Sequence, residues 1–267
     1  MVEFVSIAEA SECVADGMSI ALGGMTLYRR PVAFVAALLK HRRRPQNLTL
    51  VNFTAGYESD LLIGAECVSH VRSVYFGLES FGFAPMFTQA AQSGTITIIE
   101  ETEMSMVLGL RATMSGVSHL PSRAWVGTDL PTIRPDVKPV LDPYTQETLM
   151  AFPAISIDLA VLHGLEADRE GNVRLNNNIA IDLELVYTAE TVIATVERLV
   201  DSVQPSAEST LLPHPGADYI TVAPKGAWPT SCYPDYPVDG NEILRYIDAC
   251  AADGFAAYLD QLHIPDA

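Results

Sequence analysis

Two adjacent glycines, Gly23 and Gly24, close the apolar run Ile20-Ala21-Leu22, and Arg29-Arg30-Pro31 follow shortly after. Residues without a Cβ let backbone amides approach a ligand closely or take positive φ, at a cost in chain entropy. In open α/β sheets, ligands lie beyond the carboxyl ends of strands, near helix N-termini. Two chemistries are therefore open. Gly23 and Gly24 line a backbone site for an anion or carbonyl, or they make a tight turn that needs glycine for geometry alone. Arg29 and Arg30 open a helix, where cations oppose the macrodipole, so helix preference does not explain them. A bidentate contact to a substrate carboxylate or phosphate would explain them, and so would a salt bridge to one of the chain's many acids.

A second cluster, Glu100-Glu101-Thr102-Glu103, ends one apolar run and opens a helix with Thr102 as N-cap. Acids there favour the helix dipole, and for Glu100 and Glu101 a solvated face is expected. Glu103 has a second reading, as a carboxylate at a strand's carboxyl end that points into a cleft and serves as a general base. Thr54 and Ser80, which follow the second and third strands, are pocket candidates by position. Glu79, in "GLESFG", is expected on the surface. His119 and His163 are expected to be satisfied core or interface histidines, and Cys232 structural.

The elements that must position these residues follow from the hydrophobic pattern. Short β-branched runs at 19–24, 47–53, 71–77, 95–100, 158–164, 191–197 and 218–224 predict strands. Helices are predicted at 6–17, 30–44, 104–116, 179–190 and 241–263. Near-continuous apolar strands alternating with helices indicate an α/β fold: an open, mostly parallel sheet with helices on both faces. The stretch 129–156 carries five prolines in 28 residues and predicts an extended surface connection, packed down through Val140, Leu141, Leu149 and Phe152. The whole of 1–267 is expected to form one domain.

The totals narrow the function. Sixteen basic against 33 acidic residues give a net charge of −17, which disfavours nucleic acid and anionic membranes as partners. The basic run "KHRRRP" at 40–45 is expected to be a solvated helix end. Four scattered cysteines and six isolated histidines show neither CxxC nor HExxH spacing, so a metal site has little support. With no signal peptide and no apolar run of spanning length, a soluble cytoplasmic protein is expected.

Asp16-Gly17, Ile20-Ala21-Leu22, Gly23-Gly24, Met25 and Pro31 together resemble the N-terminal signature of family I coenzyme A transferases. Met25 stands where phenylalanine is usual and Arg29 where a glycine is usual. "MSGVSHLPSRAWVGTDL" (114–130), "DLAVLHGLEADREGNV" (158–173) and "VAPKGAWPTSCYPDYPVD" (222–239) are similar to later family segments, the last to the ending of glutaconate-transferase-type A subunits. The resemblance implies the CoA-transferase fold and an A subunit in an obligate heterodimer or heterotetramer with a B subunit.

It also implies the chemistry. The B half supplies a nucleophilic glutamate in a Ser-Glu-Asn-Gly type motif, which is absent here. A covalent glutamyl-CoA thioester forms through an anhydride in a ping-pong cycle. Gly24, with Gly23, would present amide donors to the oxyanion. Met25, Arg29 and Arg30 would line the acyl pocket, joined on position alone by Thr54 and Ser80, with a dicarboxylic or related acyl-CoA thioester as substrate and no tightly bound cofactor. Two alternatives stand beside this. One is a related ring-opening CoA-thioester hydrolase or decarboxylase using Glu103, and the other is a non-catalytic small-molecule binding protein.

Overall fold

The computed structural model describes residues 2–262. A parallel sheet runs in the spatial order β1 (Glu3–Phe4), β13 (Tyr219–Val222), β11 (Ala189–Val200), β9 (Ile157–Asp168), β2 (Ser19–Leu22), β3 (Leu48–Ala55), β4 (Val68–Phe76) and β5 (Thr97–Glu100). Every strand expected from the sequence is present. β10 (Val173–Asn176) and β12 (Ser209–Leu212) extend it antiparallel beyond the far end of β9. The strand period of two divides the core. Ile20, Leu22, Leu50, Leu159 and Val161 pack with α1 (Ile7–Ser11), α2 (Val32–Leu39), α3 (Tyr57–Gly64), α4 (Pro85–Ser93), α8 (Gly240–Ala251) and α9 (Phe255–Asp260). Ala21, Val51, Ala160, Leu162 and Ala194 pack on the other face with α5 (Glu103–Met114) and α7 (Asp182–Thr188).

The departures from the sequence reading have local causes. The helix expected over 30–44 shortens to α2 because Pro31 is its N-cap and Arg44 Nε donates to the Leu39 carbonyl at 2.8 Å, closing its end. The last helix splits into α8 and α9 where Asp253 takes φ +55°; residue 263 lies outside the described residues. α3 was not expected. It buries Glu58, Ser59 and Asp60, so its inward face does not read as apolar.

The proline-rich stretch is more than an extended connection. It holds α6 (Leu130–Ile133), β7 (Lys138–Leu141) and β8 (Thr148–Pro153), and β8 sits between β7 and β6 (His119–Ser122) in a separate antiparallel sheet. Pro121 and Pro139 fall in its edge strands and Pro153 ends its central strand, the places where a missing N–H is tolerated. Phe152 and Met150 close a small core with Trp125 and Val137, the two aromatic rings 5.1 Å apart and edge-on. Leu141 is 58% exposed and does not pack down. At the other edge of the molecule, β5 ends the main sheet with Ile98 exposed.

Asp60 ties three helices together. Its carboxylate accepts the Phe87 and Met86 amides at the start of α4 (2.6 and 3.2 Å) and the Tyr246 hydroxyl of α8 at 2.6 Å. Burial pushes its pKa up to about 6 despite these donors. A carboxyl raised in the folded state binds its proton more tightly there than in the unfolded chain. Its stabilising contribution is full below the unfolded value near 4 and is lost as pH rises through about 6. The Asp60→Asn variant should therefore flatten the urea-midpoint slope between pH 4 and 6. In the small sheet, Phe152→Ala should cost about 3–5 kcal/mol in the same measurement, as for a fully buried phenylalanine.

Candidate functional site

The chain builds outward from β2 to β5 and then returns beside β2 with β9, so the strand order reverses between β2 and β9. Crevices at such reversals, at the carboxyl ends of strands, hold ligands in open α/β sheets. Gly23 and Gly24 leave β2 there. A Cβ on Gly23 would overlap Leu162 Cδ2 and lie 2.6 Å from Asp182 Oδ1. Gly24 has φ +79°, and a Cβ on it would lie 2.5 Å from the carbonyl oxygens of Tyr28 and Arg29. Met25 and Tyr28 then exchange backbone hydrogen bonds (2.9 and 2.7 Å), which makes a tight hairpin. Its Thr26 amide donates to Thr54 Oγ1 at 2.9 Å, so the hairpin and the end of β3 form one unit.

The Gly24 amide was expected to face an acyl oxygen. Instead it donates at 2.8 Å to Asp182 Oδ1 in the interior. The turn uses its glycines for geometry, and the donor is already committed to a carboxylate of the same chain. Arg29 and Arg30 were candidates for binding a substrate carboxylate, but both are wholly buried. Arg29 pairs with Asp182 and donates to the His163 and Asn178 carbonyls and to Asn176 Oδ1. Arg30 pairs with Glu58 at 2.6 Å and donates to the Gly24 carbonyl at 3.0 Å. The salt-bridge alternative therefore describes both. Asp182 and Glu58 were missed in the sequence. Each lies in the first turn of a short helix, where an acid looks like ordinary dipole stabilisation.

The segment 222–239 lies against the back of this hairpin. Ser231 N–H donates to the Leu27 carbonyl, the Arg29 amide donates to the Ser231 carbonyl, and the Arg30 amide donates to Thr230 Oγ1. Asp168, in the "EADREGN" turn, accepts the Glu170, Asn172 and Val203 amides and locks the tip of β9. These motifs are thus held within the chain.

Glu101 departs from its expected solvated face. It is buried between Arg72 and Arg134 (2.5 and 2.7 Å) and accepts the Ser105 hydroxyl. Glu103, two residues on, is exposed as the first residue of α5. Among the described residues its side chain makes no ion pair or hydrogen bond. Thr102 caps that helix as expected, accepting the Ser105 amide. Ser80 is exposed in the short helical turn Glu79–Phe81 after β4. The structure thus joins Gly23, Gly24, Met25, Arg29, Arg30 and Thr54 in one unit. Glu103 and Ser80 stand farther along the same carboxyl edge, with no hydrogen bond to the hairpin. Tyr75 and Met104, exposed beside them at the end of β4 and the start of α5, were missed because single exposed apolar residues carry no sequence signal.

His163 is a satisfied core histidine. Its ring nitrogens meet Thr195 Oγ1 at 2.7 Å and Glu197 Oε1 at 2.8 Å. Burial alone would raise the Glu197 pKa, but His163, the Tyr236 hydroxyl and the Lys225 amide hold it below the usual value. Cys232 lies close enough for His163, Glu197 and Cys232 to approach one ion, with ligand atoms within 4.8 Å of one another. Burial pushes that thiol up to about 12, so it is a poor ready ligand, and hydrogen bonds already satisfy its two neighbours. His119, by contrast, lies exposed on β6, not in a core.

The coenzyme A transferase family profile matches residues 4–223. The chain belongs to this family. The A subunit of 3-oxoadipate CoA-transferase from Pseudomonas knackmussii is 31% identical over 98% of this chain and 93% of that protein. The IpdA subunit of a cholesterol ring-cleaving hydrolase from Mycobacterium tuberculosis is 32% identical over 92% of this chain and 87% of that one. A crystal structure of the decarboxylase AibA/AibB superposes with TM-score 0.89 at 29% identity, covering 97% of each chain. This protein is an enzyme chain of the A-subunit type, within a family that takes CoA thioesters as substrates. No helix among the described residues is long and apolar enough to cross a membrane.

Because positive φ and two backbone oxygens oppose any side chain at Gly24, Gly24→Ala should destabilise the fold by about 1–3 kcal/mol. Thermal unfolding of the variant checks this, with an unchanged midpoint contradicting the steric assignment.

Proposed function

We propose that this chain works with a separate B subunit to transfer CoA between carboxylic acids, one of them dicarboxylic or a 3-oxo acid. The observation that carries the reading is the near full-length likeness to the A chain of a CoA-transferase, in a polypeptide lacking the Ser-Glu-Asn-Gly type motif. The partner's glutamate attacks the acyl-CoA carbonyl, giving an acyl-glutamyl anhydride and releasing CoA thiolate. The thiolate then attacks the glutamyl carbonyl, forming the glutamyl-CoA thioester and freeing the first acid. The second acid reverses the sequence.

This chain's part is to shape the acyl side of the cleft. Met25 on the hairpin, Thr54 behind it, and Ser80 and Glu103 along the carboxyl edge are the residues we assign to it. Arg29 and Arg30 act from beneath the surface. The exposed Tyr75, Ile98 and Met104 offer an apolar border next to Glu103 for the B subunit. Glu103 is exposed at the start of α5 with no side-chain hydrogen bond or ion pair among the described residues, which leaves its carboxylate free to meet the bound thioester.

The test is co-expression with a B subunit, followed by incubation with 3-oxoadipyl-CoA or glutaconyl-CoA plus acetate. Borohydride should trap the adduct on the partner, with none on this chain. Glu103→Gln should leave the adduct and the complex intact while lowering kcat/KM by about 10–100-fold, the scale of a lost acid–base or polar contact. Release of free acid without an acceptor, abolished by that variant, would overturn transfer in favour of hydrolysis.

A further inference from the structure

The acids Asp182 and Glu58 lie on opposite faces of the main sheet, one on α7 and the other on α3. Consecutive arginines reach them in opposite directions, and both arms end on the same residue. Asp182 Oδ1 accepts the Gly24 amide while its other oxygen pairs with Arg29. Glu58 Oε1 pairs with Arg30, whose Nη1 donates to the Gly24 carbonyl. Ser59 and Asn52 continue the second arm, with Ser59 Oγ on Glu58 and Asn52 Nδ2 on Ser59 Oγ, and Asn52 Oδ1 then accepts the Leu22 amide, the last of β2. Both ends of the β2-to-hairpin junction are therefore tied to buried charged groups.

From this arrangement we infer that Asp182 and Glu58 are positioning residues, which set the orientation of the Gly24 peptides and thereby aim the Met25–Tyr28 hairpin at the acyl group. The fold does not demand ionic side chains for this. A buried ion pair often contributes little net stability over well-packed apolar residues, so stability alone does not explain two of them converging on one glycine. Charge-assisted hydrogen bonds are short and directional, and they fix a peptide plane where van der Waals contacts would let it rock. The inference rests on the proposal that the hairpin lines the acyl-CoA site.

The test uses the assembled complex with glutaconyl-CoA and acetate. Arg29→Leu with Asp182→Leu removes both charges and the acceptor while retaining a packed interior. It should lower kcat about 100-fold, the cost of a misplacement near 1 Å, with KM changed by less than about threefold. Arg29→Gln with Asp182→Asn keeps a neutral acceptor for the Gly24 amide and should hold kcat within about tenfold of wild type, as a neutral hydrogen bond replaces a charged one. Hydrogen exchange over residues 19–30 should accelerate in the leucine pair and stay slow in the amide pair. Wild-type kcat in the leucine pair, or equal losses in both, would overturn the inference. Should the leucine pair fail to assemble, Arg29→Gln with Asp182→Ala, which removes the acceptor of the Gly24 amide, takes its place. Fast exchange with lowered kcat there supports positioning, and wild-type kcat, or slow exchange, refutes it. Met25→Ala tests the underlying reading separately. Unchanged kcat and KM there would remove the hairpin from the acyl site while leaving the exchange result to stand by itself.

Discussion

One residue, Gly24, is gripped through both its N–H and its C=O by buried charged groups from the two faces of the sheet. The rest of the carboxyl edge is arranged around that grip. Burying two guanidinium–carboxylate pairs is expensive, and removing one partner from such a pair typically costs about 3–5 kcal/mol because a lone charge stays behind. The costs are offset locally. Each acid sits in the first turn of a helix, where the dipole favours negative charge, and Arg29 directs its remaining donors to two carbonyls and an asparagine oxygen. The glycine is required by the same geometry, since no side chain fits between the hairpin carbonyls and the turn that precedes them.

Distant parts of the chain meet at this point. The hairpin follows the short strand β2, and its backbone is completed by Thr230 and Ser231, about two hundred residues later in sequence. The turn locked by Asp168 and the wing of β10 and β12 place Asn176 and Asn178 against Arg29. Segments that look like separate motifs in the sequence are thus parts of one backbone-bonded assembly. The exposed part of that carboxyl edge is narrower: Tyr28 on the hairpin, Tyr75 at the end of β4, Ser80 in the turn after it, and Glu103 and Met104 at the start of α5.

The sheet was legible because its strands are buried on both sides and therefore apolar almost throughout, as β9 and β2 show. The helix α3 was not, because Glu58, Ser59 and Asp60 face inward and imitate a solvated turn. The same blindness affected Glu101, where a run of acids looks like a wet helix start until Arg72 and Arg134 arrive from other elements. For Arg29 and Arg30 the sequence posed the right pair of alternatives, but the carboxylates that decide between them come from residues 58 and 182. Glycine at 23 and 24 carried a real constraint whose cause was tertiary: Asp182 and Leu162 crowd one, and backbone oxygens crowd the other. The small sheet around Phe152 was hidden because its prolines sit at edges and ends, where a pattern reader sees only interruption.

The open flank of the main sheet bears on how such a polypeptide must be made in a cell. β5 ends the main sheet as an edge strand over Thr97–Glu100, with Ile98 exposed, the Glu100 carbonyl held by Arg134 Nη1, and only Glu100 supplying a charge there. Strands left in that state recruit other strands indiscriminately. A partner that covered that flank would have to be made in matched amounts and at the same time, since any excess of this polypeptide would feed aggregation.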